Sequence, residues 1–117
     1  MKLYIGIDLG TSDMKLFLMD AAGMIHKTVT KEYSLEFPQP GWSQQNPGDW
    51  KKALFEGIPE LLTGFDASCV AGIGCGGQMH GLVVMDKDDN VIRPAILWND
   101  GRTAKQVDYL NNLRSSE

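Results

Sequence analysis

The sequence predicts an α/β fold, in the order three antiparallel strands, helix, strand, hairpin, helix. Three observations predict it. Residues 3–33 hold three strand-like runs separated by the small-residue turns Gly10-Thr11-Ser12 and Ala21-Ala22-Gly23. Residues 46–61 carry a helix start signal followed by an apolar stripe at helical spacing. Residues 68–75 form a small, apolar, glycine-rich run of strand length.

The first strand covers residues 3–9. Leu3, Ile5, Ile7 and Leu9 share one face, while Tyr4, Gly6 and Asp8 share the other. One face is therefore apolar, and the other joins a bare backbone patch to an acid. The turn Gly10-Thr11-Ser12-Asp13 can adopt positive φ at Gly10 and offers free N–H groups and two hydroxyls, with Lys15 following. Such a turn can hold a phosphate, with Asp8 able to hold a hydrated Mg²⁺ beside it. An ordinary hairpin uses the same residues, so the motif alone leaves both readings open. The second strand covers residues 14–20 and the third residues 24–33. Lys27, Thr28, Thr30, Lys31 and Glu32 suit that third run to a sheet edge.

Pro38, Pro40 and Gly41 keep residues 34–45 irregular. Asn46 then caps a helix, with Pro47 at its first position and Asp49 in its first turn. Trp50, Leu54, Ile58 and Leu61 form its apolar stripe. Pro59 is expected to kink that helix or end it early. After the strand at 68–75, a glycine-rich turn over 76–81 leads to a hairpin of residues 82–86 and 91–92. A short apolar segment, 94–98, precedes a helix from Arg102 or Thr103 to Leu113, expected to bury Val107, Leu110 and Leu113.

Composition bounds the function. The 117 residues are the size of one small domain, and a 43% apolar content suffices for a core. The net charge of −4, with no basic block, argues against nucleic acid as a partner. No run is long enough to span a membrane, and Asp8 interrupts the apolar start, so neither a membrane nor a secretory signal is expected. Cys69 and Cys75 would stand ~20 Å apart on one strand, beyond disulfide reach. A reduced, cytoplasmic protein is the expectation.

Three further constellations stand out. Gly72-Ile73-Gly74-Cys75-Gly76-Gly77 matches G-x-G-x-x-G formally, but strand-like sequence follows where a dinucleotide site needs a helix. Gln78-Met79-His80 falls at the C-terminal end of a strand, where ligands collect in open α/β sheets. His80 can donate to a substrate hydroxyl and Met79 can pack on an apolar sugar face; an unliganded turn histidine fits equally. Trp98, Asn99, Asp100 and Arg102 offer a stacking surface with donors and acceptors suited to a polyol. A helix cap at Asn99 or Asp100, with Arg102 on the surface, explains the same residues.

IGIDLGTSDMK, GWSQQNPGDW, GGQMHGLVVMD and RPAILWNDGR together carry a resemblance to the FGGY carbohydrate kinases. It covers the whole chain and looks most like the xylulokinase branch. Glycerol kinases have an Arg-Glu pair where this chain has Met79-His80, and gluconate kinases differ around the Trp98 motif. The resemblance implies an actin-like, ribonuclease-H-like fold that transfers the γ-phosphate of ATP, with Mg²⁺, to D-xylulose, giving xylulose 5-phosphate. Asp8 matches the family acid that supports magnesium and the moving phosphoryl group. Gly10, Thr11 and Ser12 match the phosphate-side turn, with Lys15 beside them. Met79 and His80, next to Gln78, match the ketose-contacting pair; Trp98, Asp100 and Arg102 match the motif on the sugar side. Asp13 departs from the commoner Gly or Ser and receives no ligand role.

By the same resemblance, the catalytic base is an aspartate in a later Gly-Gly-Asp segment, and the adenosine pocket belongs to a second domain. Residues 1–117 are thus expected to be the amino-terminal part of the first domain, inactive alone. Another ketopentose, another polyol, or a non-enzymatic sugar-binding or assembly module on the same scaffold are the alternatives. The strand at 68–75 is expected to lie at an open edge and to promote self-association.

Overall fold

The computed structural model describes residues 1–115. Strands β1 (Leu3–Leu9), β2 (Asp13–Asp20) and β3 (Ile25–Glu32) form an antiparallel meander. After β4 (Gln44–Gln45), helix α1 (Pro47–Leu62) and a 3₁₀ turn lead to β5 (Val70–Gly77), which pairs parallel to β1. The main sheet therefore runs β3-β2-β1-β5, with β5 at one edge. β6 (Ala95–Ile96) pairs with β4 in a second small sheet, and α2 (Ala104–Ser115) follows.

The meander forms as its residue pattern requires. Leu3 and Ile5 of β1 lie beside Leu16 and Leu18 of β2 on one buried face, closed by Val29 of β3. Helix α1 packs on β2 and β3. Its fully buried line is Ala53, Gly57 and Leu61, with Trp50, Leu54 and Ile58 flanking it. The expected stripe is thus one flank of the contact, because Gly57 lets the helix settle directly onto Leu16. A Cβ at Gly57 would stand 2.9 Å from Leu16 Cδ1. Asn46 caps the helix as expected, its side chain accepting from Gly48 N at 2.9 Å.

Pro59 does not end α1, which continues to Leu62. The proline sits within the last turn. Continuing the helix buries Leu61 completely, and the Thr63 hydroxyl caps the Pro59 carbonyl at 3.0 Å.

Other expectations change. The segment over 34–45 is not wholly irregular: Gln44 and Gln45 pair with Ile96 and Ala95. The hairpin at 82–92 contains no strand ladder. Met85 bridges Val91, while Leu82 bridges Ile96 instead. Its tip is organised by the Asp86 carboxylate, which accepts from the amides of Asp88 and Asn90. Helix α2 does not bury its apolar positions: Val107, Leu110 and Leu113 are about half exposed, at 49%, 58% and 51%. No described element packs closely on it.

The second face of the sheet positions the site. Tyr4, Gly6 and Asp8 of β1 lie in register with Gly72, Gly74 and Gly76 of β5. Four of these six positions are glycine, the other two being Tyr4 and Asp8 itself, so the backbone is nearly bare around Asp8. The formal dinucleotide fingerprint lies within β5, and no helix follows it.

Candidate active site

The β1–β2 turn is held from behind. Its four carbonyls all accept hydrogen bonds. Gly10 O accepts from the Tyr33 hydroxyl and, at 3.5 Å, from Gln78 Nε2. Thr11 O accepts from Gln45 Nε2 at 2.8 Å, and Ser12 O from Tyr33 N at 3.2 Å. Asp13 O accepts from Gly10 N at 2.9 Å and the Tyr33 hydroxyl at 2.7 Å. With the carbonyls directed into the protein, the turn suits an anion on its other side.

Gly10 is required for space, not for positive φ as expected. Its φ is not among the positive values of the chain, but a Cβ there would stand 2.9 Å from Asp13 O. Burial, followed by the nearby Asp13 and Asp8 carboxylates, pushes the Tyr33 hydroxyl up to about 12. It remains a neutral donor to the turn at physiological pH.

Asp8 is exposed one residue before the end of β1. Its neighbours in register are Lys15 on β2 and Gly76 on β5. No group of three or more His, Cys, Asp or Glu suited to a metal exists among the described residues. One exposed carboxylate on a bare backbone stripe still fits Mg²⁺. That ion keeps several waters and combines one or two carboxylates with substrate phosphates, without a protein cage.

The second half of the site begins where β5 ends. Gln78 N donates to Leu9 O at 2.8 Å, which brings the turn after β5 beside the turn after β1. The Thr11 hydroxyl then joins the two. It donates to Gln78 Oε1 at 3.4 Å and accepts from Trp98 Nε1 at 3.2 Å. Thr11, Gln78, Met79, His80 and Trp98 line one open cleft of about 370 Å³. Met79 is 72% exposed and Trp98 56%, leaving apolar surface available for stacking. His80 holds φ at +60°, a left-handed conformation uncommon for a side chain with a Cβ. Such strain concentrates at ligand sites.

Asp100 and Arg102 do not line that cleft. Asp100 accepts from Ser43 N at 2.6 Å and from Arg102 N at 2.8 Å and Nε at 2.9 Å. Its pKa falls to about 2, chiefly through the hydrogen bond from Arg102. The guanidinium also donates to Gln44 at 3.1 Å and lies 3.9 Å from the centre of the Trp42 ring. This pair ties the 34–45 segment to the start of α2.

Sequence reasoning missed Gln45 and Tyr33, which brace the β1–β2 turn. Neither belongs to a motif with its own chemistry. A glutamine just before a helix cap carries no local signal that it will be fully buried.

Comparison with known proteins agrees with this geometry. The model for the FGGY family of carbohydrate kinases, N-terminal domain, matches residues 3–117. A xylulose kinase of Bacillus subtilis (strain 168) is 45% identical over 108 residues, covering 91% of this chain and 22% of that protein. A crystal structure described as a xyloylose kinase from Brucella ovis superposes with a TM-score of 0.90 at 39% identity, over 97% of this chain and 24% of its own. A gluconate kinase from Lactobacillus acidophilus gives a TM-score of 0.89 at 31% identity, over 95% and 22%. The chain thus spans about a quarter of the length of the relatives it matches. Its α/β sheet has the fold of the actin-like sugar kinases it superposes on, and the chain belongs to the FGGY family of carbohydrate kinases.

Proposed function

We propose that this chain is the amino-terminal part of the first domain of a kinase that transfers the γ-phosphate of ATP to D-xylulose, giving xylulose 5-phosphate. One observation carries the reading. The Thr11 hydroxyl contacts both Gln78 and Trp98, so a phosphate-facing turn and a sugar-facing turn share one cleft. The names of the similar xylulose kinases support the sugar, and Met79-His80 is the feature that matches it.

Phosphoryl transfer depends on positioning and charge neutralisation more than on covalent help from the protein. Gly10, Thr11 and Ser12 present the turn to phosphate, with Lys15 adding positive charge nearby. Asp8 would hold a hydrated Mg²⁺, which would neutralise phosphate charge when bound. Gln78 and His80 bind sugar hydroxyls, while Met79 and Trp98 cover an apolar sugar face. Asp100 and Arg102 tie the 34–45 segment to the start of α2 rather than touching the sugar. The base that accepts the sugar proton lies outside residues 1–117.

The test is ATP-dependent phosphorylation by the full-length protein, compared across xylulose, ribulose, gluconate and glycerol. Xylulose should give the highest kcat/KM. Preference for gluconate would move the assignment to an aldonate, and no phosphorylation of any sugar would favour a binding or assembly module. Residues 1–117 alone should transfer no phosphate and should self-associate through the open edge of β5. Strictly monomeric light scattering would refute the latter.

A further inference from the structure

We propose that Gln45 is a positioning residue that couples the phosphate turn to the sugar turn; this rests on the kinase reading above. Gln45 is completely buried and lies outside the cleft lining. All of its hydrogen-bonding directions are used within the protein. Their polarity follows from chemistry, because an indole N–H can donate but cannot accept.

Trp50 Nε1 lies 2.7 Å from Gln45 Oε1. The amide oxygen must therefore face Trp50, which turns the amide nitrogen toward Thr11 O at 2.8 Å and Ser34 O at 3.4 Å. The opposite flip would set N–H against N–H at Trp50 and oxygen against oxygen at Thr11. The second lone pair of Oε1 accepts from Gln78 Nε2 at 3.4 Å. Gln78 is oriented in turn: its nitrogen faces Gln45 and Gly10, and its oxygen receives the Thr11 hydroxyl. With its proton so placed, Thr11 Oγ1 accepts from Trp98 Nε1.

Two donor-only indoles, Trp50 in the interior and Trp98 in the cleft, thus fix the direction of every bond between them. A sugar that moves Gln78 or Trp98 acts on the Thr11 hydroxyl directly. Through Gln45 it also acts on the Thr11 carbonyl, and hence on the amides of the phosphate turn. The bond lengths show where the network yields. The bonds of Gln45 to Trp50 and Thr11 are short, at 2.7 and 2.8 Å, while its bond to Ser34 and the three made by the Gln78 side chain measure 3.4–3.5 Å. Bonds of that length are weak and can tighten when ligand arrives.

The experiment compares Gln45→Met, Thr11→Val and the double variant in the full-length protein. Gln45→Met keeps side-chain length and burial but removes both polar groups. It should lower kcat roughly ten- to a hundredfold by misplacing the turn. The double variant should be no slower than the slower single one. Effects that multiply would show independent roles and overturn the proposal. Hydrogen exchange supplies a readout that does not depend on the sugar. Gln45→Met should speed amide exchange at both 10–14 and 78–81 while leaving β3 unchanged. Faster exchange at one turn only, at neither, or throughout the protein would overturn the coupling. A wild type that phosphorylates no sugar refutes the proposed function, and exchange then decides the coupling alone. Should Gln45→Met not fold, Trp50→Phe removes the orienting donor while keeping an aromatic ring against the core, and should give the same pattern at smaller amplitude.

Discussion

At the turn over 10–13, every carbonyl accepts a bond from Tyr33, Gln45, Gln78 or the turn's own amide. At the turn over 78–81, the backbone bonds among the described residues flank it, from Gln78 N to Leu9 O and from Leu82 N to Ile96 O. Between them His80 stands at a strained φ and Met79 lies open to solvent. The contrast fits the two roles proposed for the turns. Stabilising developing phosphate charge needs dipoles that are already in place. Reading a flexible polyhydroxylated acceptor needs a surface that can close onto it.

The largest effect should come from Asp8→Ala in the full-length protein. Loss of a group that supports the reacting charge typically costs about 10²–10³ in kcat, and the sugar KM should stay within a few-fold. A large rise in sugar KM would place Asp8 on the wrong side of the comparison. His80→Ala should do the reverse, raising sugar KM by about tenfold for a lost polar contact with a smaller change in kcat. Unchanged KM would refute the sugar role of the second turn.

Stability sharpens the same contrast with opposite signs. Gly10→Ala forces a Cβ against the Asp13 carbonyl and should destabilise the fold by about 1–3 kcal/mol in urea unfolding. His80→Gly relieves the left-handed φ and should stabilise it by about 1 kcal/mol. If both variants destabilise equally, the sugar turn is not strained.

The smallest effect is alkaline. The raised Tyr33 pKa means that folded and unfolded chains both keep this proton below about 10. Stability should then fall as pH rises toward about 12, where the folded state also loses it. Tyr33→Phe should remove that slope. A slope that persists would assign it to other groups.

Local chemistry was the legible part of the sequence. Alternation gave β1, and Asn46-Pro47 gave the start of α1 because a cap and a first-position proline act within one turn. The motif residues Thr11, Gln78, Met79, His80 and Trp98 proved to share a cleft. What stayed hidden depended on contacts across the fold. Pro59 read as a breaker because the burial of Leu61 cannot be seen locally. Residues 82–92 do turn back on themselves, with Met85 bridging Val91 and Ile92 N donating to Val84 O, but the pairing of Leu82 with Ile96 joins segments that the local pattern does not connect. The types of Asp100 and Arg102 suit a polyol but do not tell of their partners inside the protein. Only tertiary placement shows their bonds going to Ser43, Gln44 and Trp42.

The placement of the indoles has an optical consequence. Trp42 is stacked beneath a guanidinium, and Trp50 is only partly exposed and donates to Gln45; neither lines the cleft. Trp98 stands in the cleft with its N–H on Thr11. A molecule entering there changes the surroundings of one of the three indoles within residues 1–117, so this part of the protein carries its own fluorescent gauge of occupancy. Trp98→Phe should silence that gauge while leaving the emission of the other two in place.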